Sequence, residues 1–206
     1  TPIQLSIDRL REKYSSKIND DSKDFENYLQ TINRQIKDIE NLVNEFSNFA
    51  RMPRPIFKHI NIYNTIKRAV DFFNMNTNNM IILKKKFTDI LINGDDEQLY
   101  RVFVNLIKNS EESLSEMNEK KANFKGKIDI EIEDNNDYIV IKLLDNGTGI
   151  SDIQKAMTPY FTTKSKGTGL GLPIVSKIIN DHSGEFSISK NNSTGTKITL
   201  SFPKIN

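Results

Sequence analysis

The sequence predicts an α+β chain in two parts, a helical hairpin followed by an α/β sandwich. Three observations predict it. Apolar residues recur at steps of three and four between Ile3 and Ala50, as they do on one face of a helix. Two prolines then interrupt the chain in Met52-Pro53-Arg54-Pro55. Beyond them, helical patterns alternate with short runs of period two that can pair across turns.

Within residues 1–17, Ile3, Ile7, Leu10 and Tyr14 form the stripe of a first helix. The polar stretch from Ser16 to Asp24 is a connecting loop. Residues 25–51 align Leu29, Ile32, Ile36, Ile39, Val43, Phe46 and Ala50 on one face over several heptads. A helix of about 27 residues is about 40 Å long, more than a small core can cover. Its stripe needs other long helices, and two alone make a thin core. A homodimer, in which each chain supplies half of a four-helix bundle, meets that need, the alternative being a monomeric hairpin packed on the other domain. The first domain is therefore 1–52. The prolines that end it remove backbone donors and hold the chain extended.

The second domain, 53–206, alternates. Asn61 can cap a helix carrying Ile66, Ala69, Val70 and Phe73. Met80 to Phe87 and Ile90 to Asn93 read as strands. A helix from about Asp96 turns Leu99, Phe103, Leu106, Ser110 and Leu114 to one side. Lys127 to Glu133 alternates isoleucine with charge, Asp134 to Asp137 is a turn, and Tyr138 to Leu144 is the paired strand. A further helix runs from near Leu170 to Asp181, with Pro173 tolerated in its first turn. Phe186 to Ser189 and Thr196 to Phe202 make a closing hairpin. Hairpins with interspersed helices predict an antiparallel or mixed sheet layered with helices.

Composition narrows the function classes. The chain has 206 residues, 36% apolar and 27% charged, and a formal net charge of +2. That balance suits a part-elongated helical molecule with a small core. It has no basic stripe for nucleic acid. The run Lys84-Lys85-Lys86 reads as a solvated strand edge. With no cysteine and two histidines, disulfides and cysteine- or histidine-rich metal sites are excluded. Apolar runs fall short of the roughly 18 residues that span a bilayer. The opening Thr1-Pro2 is expected of a fragment, with any membrane spans lying upstream.

Four segments carry chemistry. Asp145-Asn146-Gly147-Thr148-Gly149-Ile150 follows a buried strand. A carboxylate there can accept from an exocyclic amine such as the N6 group of adenine, though Asn-Gly is also an ordinary turn. Asn105 and Asn109 stand one turn apart on a helix face. Their amide oxygens suit Mg²⁺ that also touches phosphate, though both could be exposed helical asparagines. Gly167-Thr168-Gly169-Leu170-Gly171-Leu172 opens a helix, where backbone N–H groups can bind phosphate. It is neither a Walker loop nor a dinucleotide fingerprint, and the eukaryotic-type protein kinase motifs are missing. Before it, Pro159-Tyr160-Phe161-Thr162-Thr163-Lys164 reads as a short lid. Tyr160 and Phe161 can anchor that lid by packing, and Lys164 and Lys166 can neutralise phosphate.

In this order the segments resemble the nucleotide boxes of bacterial two-component sensor histidine kinases. Asn105 to Asn109 resembles the asparagine box, Asp145 to Gly149 the first glycine box, Pro159 to Lys164 the phenylalanine box, and Gly167 to Leu172 the second glycine box. Gly195-Thr196 is similar to the final glycine box, whose threonine lies near adenine. Thr1 to Ser6, Glu45 to Pro53 and Pro159 to Lys164 resemble the nitrogen-regulation, NtrY-type class. The resemblance implies a sandwich of the histidine-kinase, gyrase and heat-shock-chaperone ATPase type. It implies ATP and Mg²⁺ as cofactors, with Asp145 on adenine, Asn109 on the metal, Asn105 supporting the phosphates, and Gly167, Gly169 and Gly171 as hinge and cradle. It further implies a homodimer, an NtrX-type response-regulator receiver domain as partner, and the cytoplasmic portion of a membrane-anchored sensor. The ATPase relatives carry a glutamate where Asn105 stands. An asparagine cannot act as that base, which favours transfer to a protein acceptor. The family's acceptor histidine precedes a Pro-Leu-Thr-Pro-like string, so it is expected upstream of Thr1, with His59 and His182 structural. A lysine often follows the second asparagine in this family. Here the stretch reads Ser110-Glu111-Glu112.

Overall fold

The period-two runs of the second half close into one mixed sheet. The computed structural model describes residues 2–15, 17–18, 22–84, 90–135, 137–164, 167–191 and 194–205. The chain divides into two compact units, Thr1–Met52 with Lys164–Thr168, and Pro53–Thr163 with Gly169–Asn206.

In the first unit, α1 (Pro2–Tyr14) and α2 (Ser22–Ala50) form a hairpin. Gln4 donates to Asn33 at 2.9 Å and Arg11 pairs with Glu26 at 2.9 Å. Positions further along α1 thus meet positions earlier on α2, which makes the helices antiparallel. Ile7 and Leu29 are buried, but most of the predicted stripe is not: Ile39 is 61% exposed and Val43 52%. One hairpin cannot cover its own apolar face.

The second unit runs β1 (Lys58–Asn61), α3 (Ile62–Asn74), β2 (Met80–Leu83), β3 (Leu91–Gly94), α4 (Asp96–Lys120), β4 (Lys127–Asp134), β5 (Tyr138–Asp145), α5 (Ile153–Ala156), α6 (Gly171–Asp181), β6 (Glu185–Lys190) and β7 (Thr196–Pro203). The main sheet has the order β2-β4-β5-β7-β6, with β2 parallel to β4 and the other pairs antiparallel. Ile128, Ile130, Ile132, Ile139, Ile141, Leu143, Ile198, Leu200 and Phe202 are buried at alternate positions. Helices α3, α4 and α6 pack beside one another over the sheet, with α4 between the other two. At the outward positions lie the ion pairs Lys127–Asp129, Lys84–Glu131 and Lys142–Glu133. Pairs this exposed contribute about 0–1 kcal/mol each, so the buried face carries the stability.

Three features depart from the sequence reading. Residues 58–61, read as connector, form β1 and pair antiparallel with β3 in a second sheet, so His59 stands exposed opposite Asn93 on a strand. The strand expected from Met80 to Phe87 is strand over Met80–Leu83, and Lys84 beyond it still donates its N–H to Ile130 O at 2.9 Å. Residues 85–89, with Lys85 and Lys86, lie outside the described residues, as does Lys166. Helix α5 was also not anticipated; Asp152 caps it through Lys155 N at 3.0 Å.

The start of α4 is tied to the end of α6. Asp95 Oδ1 accepts from the N–H groups of Glu97 and Gln98, and Asp95 Oδ2 accepts from Ile56 N at 2.8 Å. Burial opposes charge on Asp95, but these three N–H donors outweigh it and hold its pKa below the ordinary value. The Asp95 N–H donates to His182 Nε2 at 2.9 Å, while Nδ1 faces Ile178 O at 2.8 Å. A carbonyl only accepts, so the neutral ring carries its proton on Nδ1. Protonating Nε2 would set one N–H against another.

Burial lowers the His182 pKa, against the pull of the Ile178 carbonyl and of Asp95 and Asp181. The unfolded chain therefore takes up the proton first. The stabilisation is complete above about pH 6.5, the unfolded value, and declines as the pH falls through the lowered folded value. In denaturant titration from pH 7.5 to 5, His182 should contribute a fall in stability, set against the opposite contribution of Asp145, whose pKa burial raises. His182→Phe should cost about 1–3 kcal/mol at pH 7.5 by leaving the Asp95 N–H without its acceptor, while the Ile178 carbonyl keeps the backbone N–H of residue 182, and should flatten that slope. An unchanged slope would remove His182 as its source.

Candidate functional site

Strand register places the central carboxylate. Ile139, Ile141 and Leu143 point inward on β5, and Asp145 occupies the next inward position. It is 2% exposed, where an unpaired charge would be very unfavourable. Asp145 Oδ1 accepts from Gly147 N at 2.9 Å and from Thr196 N at 3.1 Å. Oδ2 accepts from Ser110 Oγ at 3.3 Å. Burial raises the Asp145 pKa above its ordinary value, and these donors, with the Thr196 hydroxyl, hold the rise in check.

The backbone around the carboxylate is drawn in. Gly195 has φ +86°, and a Cβ on it would overlap the Asp145 carbonyl. Asn191 Nδ2 donates to that same carbonyl at 2.7 Å. A Cβ on Gly149 would stand 3.1 Å from the Gly195 carbonyl. The turn after β5 and the β6–β7 hairpin thus meet at Asp145. Asn146, beside it, is structural: its Oδ1 accepts from Lys127 N at 2.8 Å and its Nδ2 donates to Lys125 O at 3.0 Å. Thr148 reaches Ser113 and Glu116, both at 3.2 Å, which fastens the turn to α4.

The second cluster joins α4 to the start of α6. Asn105 Nδ2 donates to Arg101 O at 2.9 Å, so its amide oxygen is the end left to project. A Cβ on Gly171 would lie 3.6 Å from Asn105 Oδ1 and 3.7 Å from Asn109 Nδ2. Both predicted amides therefore face the first residue of α6. That helix begins on Leu170, which is fully buried and makes no side-chain cap. The first N–H groups of the helix have no intrahelical acceptor, which suits an anion. Leu170 itself can take part only through its backbone.

The lid is anchored differently from the sequence reading. Tyr160 is 50% exposed and Phe161 37%, so neither ring is packed away. The anchor is main-chain: Tyr160 N donates to Gly169 O at 3.1 Å. Gly169 has φ +69°, and a Cβ there would lie 2.6 Å from backbone atoms of Tyr160 and Phe161. This contact pinches off the loop between them, including exposed Thr163. Lys164, Gly167 and Thr168 group with the helical-hairpin unit, and Gly167 N donates to Lys164 O at 3.2 Å. Ile150 and Leu172 are half-buried.

The structure brings together Asp145, Gly147, Gly149 and Thr196 in one cluster and Asn105, Asn109 and Gly171 in another. Sequence reasoning missed Ser110 and Asn191 as partners of Asp145. Ser110 had a signal, a hydroxyl on an otherwise apolar helix stripe. Asn191 had none beyond its turn.

These clusters offer an acceptor to a donor-bearing base and two amides to an anionic tail. Residues 94–206 match the family of histidine kinase-, DNA gyrase B- and HSP90-like ATPases. A putative NtrY-like sensor histidine kinase of Rickettsia prowazekii is 36% identical over 98% of this chain and 33% of its own length. The nitrogen regulation protein NtrY of Azorhizobium caulinodans is 32% identical over 92% of this chain and 25% of its own length. The chain thus spans about a third or less of these curated relatives. The catalytic domain of the histidine kinase ThkA superposes with a TM-score of 0.62 at 27% identity, covering 72% of this chain and 96% of that one. The Acinetobacter baumannii histidine kinase AdeS shares the fold, with a TM-score of 0.63 at 18% identity over 100% of this chain and 95% of its own. On the match of its residues 94–206, the chain belongs to the family of histidine kinase-, DNA gyrase B- and HSP90-like ATPases, with its relatives over nearly its full length among NtrY-type sensor histidine kinases.

Proposed function

We propose that this chain is the ATP-dependent catalytic module of a protein histidine kinase in a two-component system. The observation that carries the reading is the pairing of a buried acceptor, Asp145, with two amides facing the start of α6. Asp145 holds the adenine amine, with Thr196 beside it. Asn105 and the backbone at Gly169 and Gly171 hold the phosphates. Asn109 holds Mg²⁺, which when bound offsets charge on the phosphate oxygens. Lys164 adds a positive charge from the lid. Residues 1–52 are the dimerisation hairpin and 53–206 the catalytic domain. The exposed stripe of α2 supports a homodimer that completes a four-helix bundle.

In the transfer, a nitrogen of an acceptor imidazole in the longer protein bonds to the γ-phosphorus as the bond to the β–γ bridging oxygen breaks, releasing ADP. An aspartate of a response-regulator receiver domain, NtrX-type in this reading, then takes the phosphoryl group. The module is the cytoplasmic portion of a membrane-anchored sensor. No helix among the described residues is long and apolar enough to cross a membrane. The chain's part is positioning and charge neutralisation rather than covalent chemistry. Asn105 also argues against a water-activating ATPase, because an amide is no base at neutral pH.

Two experiments test this. Asp145→Asn should weaken ATP binding roughly tenfold or more, the size of a lost buried charge-assisted hydrogen bond. Unchanged affinity by calorimetry would overturn the adenine assignment. With γ-labelled ATP, Mg²⁺ and the chain extended to include its bundle histidine, label should appear on histidine. Asn109→Ala should cut that labelling by about 100-fold or more, as when one stabiliser of developing charge is removed. Free phosphate without protein label would make the chain an ATPase, and binding with neither product would leave a nucleotide-sensing scaffold.

A further inference from the structure

We infer that Ser110 is a positioning residue of the base site: its hydroxyl holds Asp145 so that the carboxylate selects a 6-amino purine over a 6-oxo purine. This rests on the adenine reading of Asp145.

The argument starts from where Ser110 stands. Leu99, Phe103, Leu106 and Leu114 are buried along one side of α4, and Ser110 is buried at a position that continues this stripe. A hydroxyl in a core position is unfavourable unless it finds a partner. Serines and threonines inside helices often bond the carbonyl one turn back. Ser6, Thr31 and Ser115 do so here, to Pro2, Asn27 and Glu111 at 3.0, 2.8 and 3.0 Å. Ser110 instead reaches across to β5 and Asp145 Oδ2.

That bond divides the work between the two carboxylate oxygens. Oδ1 takes the backbone N–H groups of Gly147 and Thr196, which fix it in the turn. Oδ2 is then the oxygen left to meet a ligand, and Ser110 is the α4 side chain that bonds it. The hydroxyl donates more strongly to the ionised carboxylate than to the neutral acid, so it favours the ionised form. The ionised form accepts from a 6-amino group and repels a 6-oxo group. A protonated Asp145 could donate to the 6-oxo group, and the selection would fade. Ser110 directly follows Asn109, so one turn of α4 serves both the metal end and the base end of the proposed site.

The test is the ratio of ADP to IDP affinity for the full chain, by calorimetry from pH 8 down to pH 5.5. The two ligands share their diphosphate, so phosphate titration cancels from the ratio. The parent chain should prefer ADP about tenfold or more at pH 8, the usual scale for one buried hydrogen bond. Burial raises the Asp145 pKa above its ordinary value, so any loss of the preference should come at the acid end of this range. In Ser110→Ala the ratio should drop about threefold or more at pH 8. Its decline should also begin at a higher pH than in the parent chain, because a donor to the ionised form is gone. Ser110→Thr, which keeps the hydroxyl, should return both properties towards the parent. Alanine is a strong helix former, so Ser110→Ala should retain the parental circular dichroism. A parent that prefers neither ligand would sink the adenine reading itself. A parent that prefers ADP, with an Ser110→Ala variant matching it in ratio and pH profile, would overturn the role of Ser110 and leave the adenine reading standing. Carbon-detected titration of the Asp145 carboxyl, without ligand, gives an independent check: an equal pKa in parent and Ser110→Ala would also overturn it.

Discussion

A carboxylate stands where β5 would otherwise place a fourth apolar residue, and the second unit is arranged around that fact. An unpaired buried charge would cost several kcal/mol. Asp145 therefore draws donors from separate stretches of chain: Gly147 from its own turn, Thr196 from β7 and Ser110 from α4. These can converge only because Gly195 lets the β6–β7 hairpin lie flat against the Asp145 carbonyl, which Asn191 then holds. The hairpin that closes the sheet and the glycine turn after β5 are thus fastened by the demands of one charge.

Helix α4 supplies the spacing. At its start Asp95 gathers the N–H groups of Glu97, Gln98 and Ile56, and its own N–H meets His182 at the end of α6. Further along, Asn105 and Asn109 turn to Gly171 at the beginning of α6, and Ser110 turns to β5. Both ends of α6 are therefore referred to one rigid helix. From Asn105 to Ser110 is about 7.5 Å along the axis. A helix measures such an interval far more reproducibly than a loop, which suits a ligand whose two ends need different chemistry.

The sequence made the large elements legible because their periodicities are long. The helical stripe of α4 and the isoleucine alternation of β4 were readable to within a residue or two, and the carboxylate of Asp145 stood out at the end of an apolar strand. Short elements escaped. β1 and α5 have four residues each, and β1 follows directly on the proline-rich connector, which masks it. Side-chain partnerships across elements escaped as well. Nothing local marks Asn191 as the residue that holds the Asp145 carbonyl, because the pairing spans 46 positions and exists only once β6 lies beside β7. The lid was misread for a related reason. Aromatic residues suggest packing, but the closure at Tyr160 and Gly169 is made by backbone atoms, which every residue possesses and no composition reveals.

The amide at position 105 decides what such a site can do with a bound nucleotide. Its nitrogen is occupied by the Arg101 carbonyl, so the oxygen is presented to the start of α6. That oxygen can accept hydrogen bonds or meet a hard cation, but it cannot take a proton from water at neutral pH. Asn109, one turn on, has the same limitation. On the proposed reading, Asn105 and Asn109 at the phosphate end and Asp145 at the base end hold the nucleotide, and neither amide is a hydrolytic base. The nucleotide then stays intact until another segment brings its own nucleophile. An imidazole is such a group, since its nitrogen is already unprotonated in a large fraction of molecules near pH 7. On the same reading, the exposed apolar face of α2 has the length to join a helical assembly beyond one hairpin.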